Sequence, residues 1–131
     1  MGFADRHQVE PIDVQVRTFS AIAREIQCSR ACVKVDVEYA EDEFLRGARA
    51  ALDRIAYLVI EILGPAQSRG FVCELKALTG FHAYYINDYC LEHSSDGSYV
   101  YRVPEYNWLF CRDNPESLGQ RLAASALRVR A

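Results

Sequence analysis

Apolar residues recur along residues 41–63, EDEFLRGARAALDRIAYLVIEIL, at spacings of three and four: Phe44, Ala48, Leu52, Ile55, Val59 and Ile62. That period places them on one side of an α-helix. Arg46, Arg49 and Asp53 fall on the other side, and Asp42–Arg46 and Arg49–Asp53 are spaced to pair at i,i+4. From Tyr57 onward the pattern is apolar almost all round, which predicts the more deeply buried end of the helix. Gly64-Pro65 is then expected to stop it. The rest of the chain reads as organised around this long central helix.

Before it, Ile12, Val16, Phe19, Ile22, Ala23 and Ile26 form one stripe, predicting a first helix over 12–27 that Pro11 enters. A strand through Ile12, Val14 and Val16 is the rival reading there. Residues 32–39, CVKVDVEY, alternate between Val33, Val35, Val37, Tyr39 and Lys34, Asp36, Glu38, the pattern of a half-buried strand. After the polar loop AQSRG, Phe71, Cys73, Leu75 and Ala77 share one face of a predicted strand, and Val72, Glu74 and Lys76 the other. Leu78-Thr79-Gly80 fits a three-residue hairpin loop, which sets Lys76 opposite His82, Glu74 opposite Tyr84 and Cys73 opposite Tyr85.

The next predicted strand, 81–92, puts Phe81, Ala83, Tyr85, Tyr89 and Leu91 on the apolar face. His82, Tyr84, Asp88 and Glu92 go to the polar face. Asn87-Asp88 interrupts it as a bulge, or marks a helix over 81–91 instead. Ser95-Asp96-Gly97 makes a second loop that pairs Leu91 with Tyr101 and Cys90 with Arg102. Pro104-Glu105 turns the chain into a last strand over 107–111, which carries the only tryptophan, Trp108. Asn114-Pro115-Glu116-Ser117 starts a closing helix with the stripe Leu118, Leu122, Ala126, Val129.

The expected fold class is α+β: an antiparallel β-meander of four to five strands, with the long central helix and flanking N- and C-terminal helices on one face. Residues 1–131 read as a single domain with 1–10 a loose N-terminal tail. Half the residues are hydrophobic, enough for one core. No apolar run approaches the ~20 residues of a membrane span, and the first residues lack a secretory h-region. Five cysteines, an odd number, then read as reduced thiols in a cytoplasmic protein. A net charge of −3, with no basic block, argues against nucleic acid as a partner.

Cys28, Cys32, Cys90 and His93 superficially supply four zinc ligands, but Cys90 and His93 differ in strand parity and cannot converge on one ion. Cys90 and His82 lie too far apart along one strand for a nucleophile–base dyad, and Cys73 and Cys111 read as core packing. Glu74-Leu75-Lys76 has the E-x-K form of metal-dependent nucleases, with Asp36 as the further carboxylate, but lacks a basic groove. No cofactor or metal is expected.

What remains is the polar sheet face. Its candidate binding residues are Glu74, Lys76, His82, Tyr84, Asp88 and Arg102. A surplus of tyrosines suggests an interface there. The leading expectation is a non-catalytic protein-binding or accessory/inhibitor module, self-associating as a homodimer or binding another protein. The alternative, from a different class, is a small-molecule-binding domain or pocket enzyme with a His/Tyr/Glu acid–base group on a curved sheet.

Overall fold

In a computed structural model, which describes residues 11–99 and 106–131, the chain is a mixed α/β domain rather than an antiparallel meander. Its elements, in order, are α1 (Phe19–Glu25), β1 (Ala31–Val35), α2 (Glu41–Ala48), a 3₁₀ segment (Arg49–Arg54) and β2 (Ile55–Glu61). These are followed by α3 (Pro65–Thr79), β3 (His82–Asn87), β4 (Cys90–Ser94), β5 (Asn107–Cys111), α4 (Pro115–Arg121) and β6 (Arg128–Arg130). Among the described residues the six strands form one sheet in the order β1-β2-β5-β3-β4-β6. β1 runs parallel to β2, and β4 parallel to β6; the remaining pairs are antiparallel.

The expected central helix is two elements. Glu41, Leu45, Ala48 and Leu52 keep the helical stripe through α2 and the 3₁₀ segment, with Arg46, Arg49 and Asp53 exposed. At Ala51 the backbone leaves helical space, with φ −141°. Beyond it, the run that looked like an all-round apolar helix is β2. A strand in a parallel pair is covered on both faces and reads as a continuous apolar run. Ile55, Leu58 and Ile60 point into the main core, and Tyr57 packs in the smaller cluster on the other face.

Gly64-Pro65 begins a helix instead of ending one, with proline in the first turn of α3. The expected strand over 71–77 is therefore helical. Ser68, Phe71, Val72 and Leu75 are buried at three-four spacing, while Cys73 and Ala77 are exposed. Gly80 does take the left-handed conformation, φ +69°, but as the cap that ends α3, its N–H bonded to the Lys76 carbonyl. The hairpin pairs of 74 and 76 with 84 and 82 do not exist.

The expected strand over 81–92 is a hairpin. It turns at Asp88-Tyr89, where Asp88 has φ +51°, so Asn87-Asp88 ends a strand rather than bulging one. The Leu91–Tyr101 and Cys90–Arg102 pairs, and the Pro104-Glu105 turn, fall outside the described residues. The first helix is confined to α1, capped by Thr18, and residues 11–17 are neither helix nor strand. The expected strand over 32–39 is cut short at Ala31–Val35, leaving Val37 and Tyr39 exposed. The strand at 107–111 and the Asn114-capped start of α4 are as expected, but the closing stripe stops at Leu122.

The main core lies between one sheet face and α2 and α3, built on Val35, Leu58, Ile60, Phe71, Leu75, Tyr85, Trp108 and Phe110. Leu118 of α4 packs with Tyr84, Leu91 and Cys111 in a second cluster on the other face, so helices cover both faces and not one. No helix among the described residues is long and apolar enough to cross a membrane.

Leu52→Ala should cost about 2–5 kcal/mol, the range for truncation in a packed core, because Leu52 is 5% exposed. Arg49, which meets Glu74 only at 3.7 Å on the surface, should cost under about 1 kcal/mol on change to alanine. Urea denaturation of the two variants checks the ranking; equal losses would contradict it.

Candidate functional site

Parallel strands bring their carboxyl ends to one edge, and in open α/β sheets that edge is where ligands sit. Here β1 and β2 are in register from Val33–Leu58 to Val35–Ile60. Since Val35 and Ile60 point into the core, the next residue on each strand, Asp36 and Glu61, points to the opposite face. The two carboxyl groups are near enough there for each to shift the other's titration. Lys34, two residues before Asp36 and on its face, donates to the Asp36 carboxylate at 3.0 Å.

These neighbours drive the two acids apart. The Lys34 hydrogen bond and charge hold Asp36 below the ordinary aspartate range. Partial burial raises Glu61, and the negative charges of Asp36 and Glu38 raise it further. Adjacent carboxyl groups with opposed shifts are the arrangement from which acid and base roles arise.

The chain leaving β1 is strained at the same edge. Glu38 and Tyr39 have φ +26° and +64°, a region where residues with a Cβ are uncommon. The Tyr39 N–H donates to the Glu41 side chain at 3.2 Å. Glu41 is itself buried at the start of α2, where a carboxylate suits the helix dipole. Tyr39, Glu41, Asp42, Ile62, Gln67 and Phe71 are among the residues lining a cleft of about 400 Å³ between this loop and α3. The cleft and the carboxyl pair flank the same edge from opposite faces of the sheet. Tyr39→Gly should stabilise the fold by about 1 kcal/mol, because the left-handed conformation costs an L-residue roughly 1–2 kcal/mol and the Tyr39 side chain is largely exposed. A thermal melt that shows a loss instead would mean that the ring makes contacts outweighing the strain.

The residues singled out by sequence are dispersed. Glu74 and Lys76 sit on α3, where Glu74 faces Arg49 and Lys76 donates to the Ser95 carbonyl at 2.7 Å. The nuclease-like strand reading therefore fails. His82 and Tyr84 do share the face turned away from the main core, and both rings meet His93 of β4. Tyr84 is fully buried, its hydroxyl donating to the Asp113 carbonyl at 2.7 Å. Asp88 is in the exposed hairpin turn, and Arg102 lies outside the described residues. Of the thiols, Cys111 is buried but Cys73 is exposed. No group of three metal-ligating side chains occurs among the described residues.

From sequence, Asp36 stands out only as a helper to Glu74, and Glu61 is hidden inside an apparent helix. The signal that could have found them was an acidic residue closing each of two β-rich runs.

A family model described as methyltransferase FkbM domain matches residues 2–103. No curated protein and no solved structure matches the chain. The family match overturns the expectation of a non-catalytic protein-binding or accessory module and favours the pocket-enzyme alternative.

Proposed function

Because the chain belongs to the methyltransferase FkbM domain family, we propose that it is a catalytic domain for group transfer that handles the acceptor's proton at the Asp36–Glu61 pair. The observation that carries this reading is the neighbouring pair of carboxyl groups with opposed shifts, one of them bonded by Lys34, at the carboxyl ends of parallel strands. Glu61, the more basic of the two, takes the proton from a hydroxyl-type acceptor. Asp36, kept ionised by Lys34, raises the basicity of Glu61 and would disperse the charge of the proton it gains.

The family implies a methyl donor such as S-adenosylmethionine. In doubly wound sheets a nucleoside cofactor rests on a glycine-rich turn between strand and helix, where only glycine lets the backbone approach. The turn after β1 is Asp36-Val37-Glu38-Tyr39-Ala40, which has no glycine. The turn after β2 has Gly64 alone, and a Cβ there would meet the Gln67 side chain at 2.8 Å. The described residues do not fit that donor; what they do fit is proton transfer.

Nuclear magnetic resonance with a polyol, a hexose and a phenol as probes tests the reading. At least one should perturb residues 36–42 and 61–63, and Glu61→Gln should weaken that response while Glu116→Gln, on α4, leaves it unchanged. Perturbations confined to other surfaces would overturn it.

The pair also fixes a pH dependence. A raised Glu61 favours its protonated form in the fold, so stability falls as pH rises from the ordinary glutamate value through the raised one. A lowered Asp36 contributes stability above the ordinary aspartate range, and this is lost as pH falls through its folded value. Glu61→Gln removes the first effect alone. The variant should melt higher than the parent at about pH 7 and lose that advantage below about pH 4, where glutamates are protonated in both states. Melting curves at the two pH values check it, and a parent that melts higher at neutral pH would contradict the shift.

A further inference from the structure

At the opposite end of the sheet from Asp36 and Glu61, two imidazoles face each other across the β3–β4 hairpin. His93 pairs with Tyr84 in the ladder, and His82 is two residues before Tyr84, so the two histidines are diagonal neighbours on one face. His82 Nδ1 and His93 Nε2 are 3.2 Å apart. Two imidazole nitrogens, each about 2.0–2.1 Å from a divalent metal and ~100° apart at it, are separated by about 3.2 Å. We propose that His82 and His93 chelate a divalent transition metal of the imidazole-preferring kind, such as zinc or copper(II), independently of the carboxyl pair.

The surroundings fit an open two-nitrogen site. Both rings are part-buried and neither is enclosed, so water reaches the remaining coordination positions. The Tyr84 ring, anchored through its hydroxyl to the Asp113 carbonyl, packs against His93 and limits its movement. Without metal, one imidazole N–H points at the other ring's nitrogen. Exchanging that proton for a metal requires only a tilt of each ring about χ2, a soft torsion in histidine. The Cys111 thiol, on the strand beside His82, is directed at the Asp113 carbonyl, and no third ligating side chain converges with the two imidazoles among the described residues.

The chain has three histidines, so zinc titration followed through imidazole proton signals reads the site directly, with His7 as reference and the cysteines silent. Zinc should move the His82 and His93 signals together at one equivalent. His82→Asn and His93→Asn should each weaken binding by at least about tenfold, since imidazole nitrogen is the only protein donor type assigned to the metal. If His93→Asn fails to fold by circular dichroism, His82→Asn carries the comparison. Zinc shifts at His7 alone, no shifts up to millimolar zinc, or unchanged affinity in a folded variant would each overturn the proposal.

Discussion

Trp108→Ala is expected to lose about 3–5 kcal/mol, the cost of removing a large aromatic from a packed core, a large share of the roughly 5–15 kcal/mol that keeps an ordinary domain folded. Trp108 is fully buried on β5, the strand between β2 and β3. Its ring meets Tyr85 and Tyr99 edge-on, both at 5.5 Å, and lies at 6.3 Å from Phe110. It therefore joins two strands and the following loop through one side chain. Aromatic pairs of this geometry add about 0.5–1.5 kcal/mol beyond the area they bury.

The indole N–H of Trp108 finds no acceptor among the described residues. An unpaired buried donor carries its own penalty of about 1–3 kcal/mol. Trp108→Phe removes that donor along with part of the ring, so it should cost far less than the alanine change, under about 1.5 kcal/mol as for other conservative core swaps. Chemical denaturation of both variants measures the difference. Equal losses would mean that the indole nitrogen is hydrogen-bonded after all.

The strand that carries Trp108 was legible in sequence, as were the first part of β1 and the cap of α4, because each signal was local; the burial of the indole was not legible. Alternation through Val33 and Val35 needs no partner to be read, and Asn114-Pro115 supplies its own cap. The errors came where two periods coexist in the same residues. Phe71, Cys73, Leu75 and Ala77 alternate, but Ser68, Phe71, Val72 and Leu75 have helical spacing, and only burial shows which set faces the core. At Tyr57–Ile62 an apolar run of that length is compatible with a buried helix end or a strand covered on both faces. Taking the helix there removed the parallel pair, and with it the carboxyl edge that holds Asp36 and Glu61.

Parity does put His82 and Tyr84 on one face, turned from the main core, because any regular strand at 81–86 gives that answer. That face is not the polar one expected: Tyr84 is buried in the second cluster. Their neighbour His93 was missed, since it lies across a two-residue turn read as strand interior.

Gly97→Ala should cost about 2–5 kcal/mol, combining roughly 1–2 for a left-handed backbone with roughly 1–3 for overpacking. Gly97 has φ +81°, and a Cβ there would come within 2.8 Å of both the Arg69 Cα and the Ser68 carbonyl oxygen. Both are backbone atoms of α3, so no side chain can swing aside. The contact exists because the loop after β4 is bonded onto the helix: the Ser68 hydroxyl donates to the Gly97 carbonyl at 3.0 Å, and the Gly97 N–H donates to the Ser94 hydroxyl oxygen at 3.0 Å. Moving the loop outward to admit a methyl group would break the first of these buried bonds. Gly80→Ala separates the two causes. Gly80 has φ +69° but open space where its Cβ would go, so it should lose only the conformational part, about 1–2 kcal/mol. Denaturation of the two variants side by side gives the clash alone as their difference. A Gly97 variant no less stable than the Gly80 variant would show that the loop does not sit against α3 as closely as the 2.8 Å approach requires.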